Sequence, residues 1–298
     1  MKRSYTIVYL CMLVLLASCE KNISLDLHDS PQQLVVEGTI ERGIPPVIIL
    51  THSLNYFSTL DSGQLASSFV HDADITVSDG TLDAHLKEYA IDTVNGLKAY
   101  FYSIDTTDLA HALVGIPGVS YALRIRSGGE EYEATTTIPA HGITLDSLFW
   151  DSVASKKPED SDKVYVIARL TDPPEAGDCA RYFTKRNSEP YYASYTSVAD
   201  DQVVNGHTFE INLDRGVDKN EDLDLDEYGY FLKGDTVTVK FCNIDKATYD
   251  FWRTWEYAYS SNGNPFSSPI KILGNIPGAL GYWGGYNTQY KTIVIPKN

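Results

Sequence analysis

Four cysteines carry most of the chemistry that this 298-residue chain makes visible, and position divides them. Cys19 closes Leu16-Ala17-Ser18-Cys19, after a basic start at Lys2 and Arg3 and an apolar run from Ile7 to Leu16. A charged start, a short apolar stretch and small residues before the cut describe a secretory signal, too short for a membrane span. A cysteine at the cut matches the bacterial lipobox, where diacylglycerol alkylates the thiol and the leader is removed before it. An ordinary signal with an incidental cysteine, or a short anchor, is the competing reading. The sequence thus predicts a leader over 1–18, a mature chain from Cys19, and a covalent lipid on Cys19 as the one prosthetic group. Each buried methylene adds roughly 0.8 kcal/mol, and more than one acyl chain makes membrane anchoring lasting. Cys11 leaves with the leader. Cys179 and Cys242 remain, an even number in an exported chain, which predicts one disulfide. Two separately buried thiols are the alternative.

Other residues with chemical reach are less sharply patterned. The segment 214–227 (DRGVDKNEDLDLDE) is dense in carboxylates, and Asp222, Asp224 and Asp226 have the alternate spacing of a calcium loop. Glu227 stands where such a loop needs glycine, and Lys233 where it needs the bidentate glutamate. These three are therefore weak calcium candidates in a solvated loop, and no metal centre is expected. His71-Asp72-Ala73-Asp74 could offer ligands, but aspartates at a strand entry are ordinary turn chemistry. There is no Gly-x-Ser-x-Gly elbow, phosphate loop or dinucleotide fingerprint, so no catalytic residues are assigned. Tyr182, Tyr191, Tyr192 and Tyr195, interrupted by Pro190, could form a stacking platform for a sugar or peptide, since tyrosine joins a large flat face to a polar tip. Packing on a strand face is the plainer reading of the same four.

Composition bounds the function. The chain carries 24 basic against 40 acidic residues, a net charge of −16, and the leader would take Lys2 and Arg3 with it. That balance argues against nucleic acid, which asks for clustered Lys and Arg, and against electrostatic capture by anionic headgroups. A hydrophobic fraction of 43% is enough for real cores, and 21 tyrosines against 2 methionines favour strands.

The elements that would position these residues are mostly strands. After a polar tether over 19–32, strand patterns run at 34–40, 46–51, 74–77, 84–89 and 98–104. A hairpin follows, with 121–126 and 131–138 joined through Ser127-Gly128-Gly129, where glycine supplies the positive φ of a tight turn. Seven short strands predict an immunoglobulin-like sandwich over 33–140, ended by Pro139 and Gly142. The remainder, 141–298, reads as a second strand-rich domain with one helix, for which a barrel is one available form. That helix spans about 246–260. Asp245 caps it, and Thr248, Phe251, Trp252, Trp255 and Tyr259 form a stripe that should pack on a sheet. Asp250, Arg253, Thr254 and Glu256 are then expected to face water.

Several blocks in order carry a resemblance. Leu34-Val35-Val36-Glu37-Gly38 follows the lipobox, and the hairpin closes on Thr137-Ile138-Pro139. Later stand Gly229-Tyr230-Phe231-Leu232-Lys233-Gly234-Asp235 and Ile244-Asp245-Lys246-Ala247-Thr248-Tyr249-Asp250-Phe251-Trp252. The block from Asn262 to Phe266 and on to Gly278-Ala279-Leu280-Gly281-Tyr282 completes the set. Together they resemble the Bacteroidota lipoprotein family known as the domain of unknown function numbered 4249. The resemblance implies an outer-membrane lipoprotein, often encoded beside a TonB-dependent transporter, and brings no catalytic residues, while the strand patterns themselves predict an all-β chain. It leaves open whether the protein faces the periplasm or the cell surface. The function expected is a non-enzymatic binding or accessory subunit of such a transporter. The alternative is a surface hydrolase acting on glycan or peptide.

Overall fold

Apolar residues at every second position lay down most of the strands, because alternate side chains of a strand point to opposite faces. In β1 (Leu34–Glu41), Leu34, Val36, Gly38 and Ile40 are buried while Glu37 lies on the opposite face. The computed structural model describes residues 31–297 apart from 55–60, 94–95, 109–111, 155–156, 158–159, 222–227, 265 and 269. Cys19 with its leader, most of the tether, and Asp222, Asp224 and Asp226 lie outside the described residues. The next strands are β2 (Val47–His52), β3 (Asp74–Ser78), β4 (Asp83–Asp92), β5 (Lys98–Ile104), β6 (Ser120–Ser127) and β7 (Glu130–Thr137). Then come β8 (Thr144–Ser152), β9 (Lys163–Thr171), β10 (Cys179–Arg186), β11 (Val198–Asp200) and β12 (Thr208–Leu213). β13 (Phe231–Leu232), β14 (Thr236–Ile244) and β15 (Leu280–Val294) complete the series. A short helix, Ser62–Ser68, and a long one, Lys246–Ser261, are the helices among the described residues.

The fold is mainly β and sandwich-like. Eleven strands pair in the order β11-β10-β14-β15-β1-β2-β5-β4-β3-β6-β7, and β9 holds β8, β12 and β13 in a second sheet of four. The long sheet ends at β11 and β7 without closing, so the barrel considered for the second half is not what forms. β15 explains why. Its first half pairs in parallel with β1 and its second half antiparallel with β14, which makes it an interior strand shared by both halves of the chain.

Residues 32–298 form one compact unit, with two apolar cores on the same side of β15. The first gathers Val36, Ile40 and Leu50 from β1 and β2 against Ile75, Leu123 and Ile125 from β3 and β6, with Trp283 fully buried. The second lies between β10 and β14 and the four-stranded sheet, around Val166, Phe231, Val239 and Phe241. The change of core falls near residue 140, where the sequence suggested a boundary, while the β1–β15 ladder runs across it. Trp283 is held by more than burial. Its backbone exchanges two hydrogen bonds of 2.8 Å with the Asn275 side chain, and its indole Nε1 donates to the Tyr121 carbonyl at 2.9 Å.

The long helix covers the other face of β15. Asp245 caps it as expected, accepting from the Thr248 N–H at 2.8 Å, and its second oxygen accepts from the Thr137 N–H at 3.2 Å, which ties the helix start to β7. Contact with the sheet is close at Gly284, where a Cβ would lie 2.8 Å from Thr248 Oγ1. Only glycine serves at 281, with φ of +95° and the Val36 carbonyl 1.9 Å from where a Cβ would stand. The expected polar side of the helix is partly wrong. Thr254 and Glu256 are buried, whereas Trp252 and Trp255 are only half-buried.

Candidate functional site

The face of β1, β15, β14 and β10 that points away from the cores carries a different set of residues. Registers place Glu37 opposite Tyr282, Glu41 opposite Tyr286, Lys240 opposite Tyr290 and Arg181 opposite Cys242. The long helix covers only part of this face. Beside it opens a cavity of about 670 Å³, floored by the strands, walled by the helix on one side and by the 191–193 and 217–220 segments on the other. That size is ordinary for a small-molecule site, roughly 300–1,000 Å³.

Aromatic rings build the helix wall. Phe251 stacks on Tyr282 with centroids 4.5 Å apart, and Trp252 meets Tyr282 edge-on at 5.1 Å. Trp252 Nε1 donates to Tyr286 Oη at 3.0 Å. Trp255 stacks on Tyr259 at 5.2 Å. Two cations lie over these rings. The Arg181 guanidinium sits 3.3 Å from the Trp252 ring centre and 4.6 Å from that of Phe183, and Lys219 Nζ sits 4.8 Å from that of Trp255. Such contacts are worth roughly 0.5–2 kcal/mol, most where water is excluded.

Arg181 is 5% exposed, so its charge must be answered. Its Nε donates to Ser197 Oγ at 3.1 Å, and Ser197 in turn donates both its hydroxyl and, at 3.0 Å, its N–H to the buried carboxylate of Glu256. This is why Glu256 turns inward rather than to water. On the opposite side, Lys240 pairs with Glu41 at 2.5 Å, and Tyr290 Oη donates to the second oxygen of Glu41 at 3.0 Å. Glu37 has no such fixed partner among the described residues. Desolvation by the surrounding walls raises its pKa, and the Arg181 charge opposes that rise. Burial likewise lowers the pKa of Lys219, against the pull of Glu256. The cavity therefore combines flat apolar rings with charges of both signs, an arrangement suited to gripping a ligand with apolar faces and polar edges.

The four sequence-predicted tyrosines do not act together. Tyr191 and Tyr192 line this cavity. Tyr182 points through to the other face of β10, as its even position next to Arg181 requires. There its hydroxyl meets Ser194 Oγ at 2.9 Å beside a smaller cavity of about 370 Å³ between the sheets. Tyr195 packs edge-on against Tyr228 at 5.0 Å.

The expected disulfide is not formed: Cys179 and Cys242 are both free and buried. They lie on paired strands but two residues out of register, Cys179 facing Ile244 and Cys242 facing Arg181. Diagonal neighbours stand about 7–8 Å apart, outside the roughly 4.4–6.8 Å that a bridge spans between Cα atoms. Each thiol has its own neighbour instead, the Gly177 carbonyl for Cys179 and Thr288 Oγ1 for Cys242. Burial pushes both up to about 12.

The domain of unknown function DUF4249 matches residues 20–292. The chain belongs to this family. The DUF4249 match takes in every residue that lines the cavity. No curated protein matches the chain.

Sequence reading missed Glu37, Glu41, Arg181, Lys219 and Lys240 as site residues. A signal existed for the first two: in β1 they fall on the odd positions, opposite the apolar even ones. Nothing local marks Lys219, which reaches the site from a loop.

Proposed function

We propose that the protein is a lipid-anchored, non-enzymatic binding subunit of a Bacteroidota outer membrane, associated with a TonB-dependent transporter, and that the cavity holds its ligand. The observation that carries the reading is the ring-and-cation wall formed by Arg181 over Trp252 and Lys219 over Trp255. Flat rings give contact area at low entropic cost, and desolvated cations beside them give direction to polar or anionic edges. Sugars and peptides both present such surfaces. The anchor rests on Leu16-Ala17-Ser18-Cys19, the transporter on the family resemblance.

The hydrolase alternative has one feature in its favour. The pKa of Glu37 is raised by desolvation, the direction a general acid needs. Glu41, on the same face, has both carboxylate oxygens engaged by Lys240 and Tyr290, which suits it to a structural role.

Detergent extraction of the native lipoprotein, followed by identification of co-purifying outer-membrane proteins, tests the association. A transporter should be recovered with wild type, and Cys19→Ala should leave the protein unlipidated and the transporter unrecovered. Recovery of no transporter with the lipidated protein contradicts the reading.

A further inference from the structure

The chain crosses between its two sheets twice within forty residues, and both crossings pass through one place. The loop 172–178 leaves β9 of the four-stranded sheet for β10 of the large one, and the turn 201–207 leaves β11 of the large sheet for β12 of the small one. The two loops are laced by backbone hydrogen bonds, Asp172 N–H to the His207 carbonyl at 3.0 Å and Asp201 N–H to the Asp178 carbonyl at 3.1 Å. Asp172, Asp178 and Asp201 converge there, offering one carboxylate oxygen each within 4.8 Å of one another.

Part of this cluster is explained by the loops themselves. Asp201 Oδ2 accepts from the Gly177 and Asp178 N–H groups at 2.7 and 3.0 Å, and Asp172 Oδ2 accepts from the Gly206 N–H at 3.0 Å. The remainder is not. Asp172 is only 3% exposed, yet its Oδ1 is buried with no hydrogen-bond donor, and Oδ2 of Asp178 is buried in the same condition. A buried carboxylate oxygen without a donor or a countercharge is costly, and such groups in folded proteins are paired or coordinate a metal. Among the described residues, no lysine or arginine forms an ion pair with any of the three.

We infer that Asp172, Asp178 and Asp201 form a divalent-cation site, selective for Ca²⁺, that ties the two sheet-crossing loops together. The donors are all hard oxygens, which suit calcium and magnesium rather than zinc or copper. Ca²⁺ bonds oxygens at about 2.3–2.6 Å, so oxygens up to nearly 5 Å apart can share one ion. Mg²⁺ requires a tighter, near-octahedral shell at about 2.0–2.1 Å. The site stands apart from the aromatic cavity, and its role is to fix the corner of the sandwich.

The full-length protein in detergent, stripped with EDTA, is titrated calorimetrically with CaCl₂ and separately with MgCl₂, and its melting is followed with each. One Ca²⁺ per chain should bind, with a rise in melting temperature of several degrees and a weaker response to Mg²⁺. Asp178→Asn keeps the shape and breaks no side-chain hydrogen bond among the described residues. It should weaken Ca²⁺ at least tenfold and abolish the melting shift, and Asp172→Asn should do the same as an independent check. The triple variant Asp222→Asn/Asp224→Asn/Asp226→Asn should bind as wild type does. Absence of heat and of any melting shift with CaCl₂ overturns the inference. So does Ca²⁺ binding that survives both single variants, or binding lost only in the triple variant.

Discussion

The two faces of β15 show one strand serving two purposes. On one face Trp283 enters an apolar core in which its backbone and indole N–H groups are satisfied. On the other, Tyr282 and Tyr286 meet the helix and the cavity, among Arg181, Glu37 and Trp252. The first face can only be packed. The second is packed where the helix lies, around Cys179, Cys242 and Phe251, and opens beside it. A cavity with charged residues is tolerable here because the opposite face already supplies the burial that holds the strand in place.

The sharpest way to break that contrast is Trp283→Ala. Removing a buried tryptophan costs roughly 3–5 kcal/mol, a large part of the roughly 5–15 kcal/mol that stabilises a typical domain. Chemical denaturation should show that loss or an insoluble protein. A melting curve close to wild type would mean that the first core is not where the stability resides.

The two thiols mark how far the dry part of the helix face extends. Burial pushes both thiols up to about 12, so the folded protein holds little of the reactive thiolate at pH 8. Alkylation of the unreduced, folded protein should therefore label neither cysteine, and labelling in urea should reach both. Protection in urea that is removed only by a reductant would show a bridge and a different strand register.

Much of this was readable before the structure. Strand patterns marked β1 to β7 closely, and the Asp245 cap with its aromatic stripe marked the long helix. What escaped depended on partners distant in the chain. The Gly-rich stretch 281–286 reads in sequence as a bulged strand of close backbone approach, as Gly281 and Gly284 show, but its place in the interior of the sheet depends on pairing with both β1 and β14. Glu256 looked solvent-facing by helical phase, since Ser197 and Arg181 are brought to it only by sheet pairing. The two cysteines do lie on neighbouring strands, but the two-residue register offset that keeps them apart is invisible in sequence.

Trp255→Ala separates the faces at lower cost. The side chain is half-buried, so its loss should destabilise by about 1–2 kcal/mol, nearer the ordinary range for substitutions than the Trp283 value. Equal destabilisation by the two tryptophans would make the helix wall core and not site. The smallest expected effect is electrostatic. Arg181 holds Glu37 down against desolvation, so Arg181→Met should raise the Glu37 titration midpoint further, as read from its carboxyl carbon by NMR. An unchanged midpoint would place Glu37 outside the reach of Arg181.

Ligand capture by the cavity is the central claim, and binding to immobilised ligands tests it most directly. The detergent-solubilised lipoprotein is applied to oligosaccharide and peptide arrays beside Trp255→Ala and Arg181→Met, each verified as folded by thermal melting. Wild type should select a subset of one array, and both variants should lose that subset at least tenfold in affinity. Selection retained by both variants, or no selection by wild type on either array, would contradict the account.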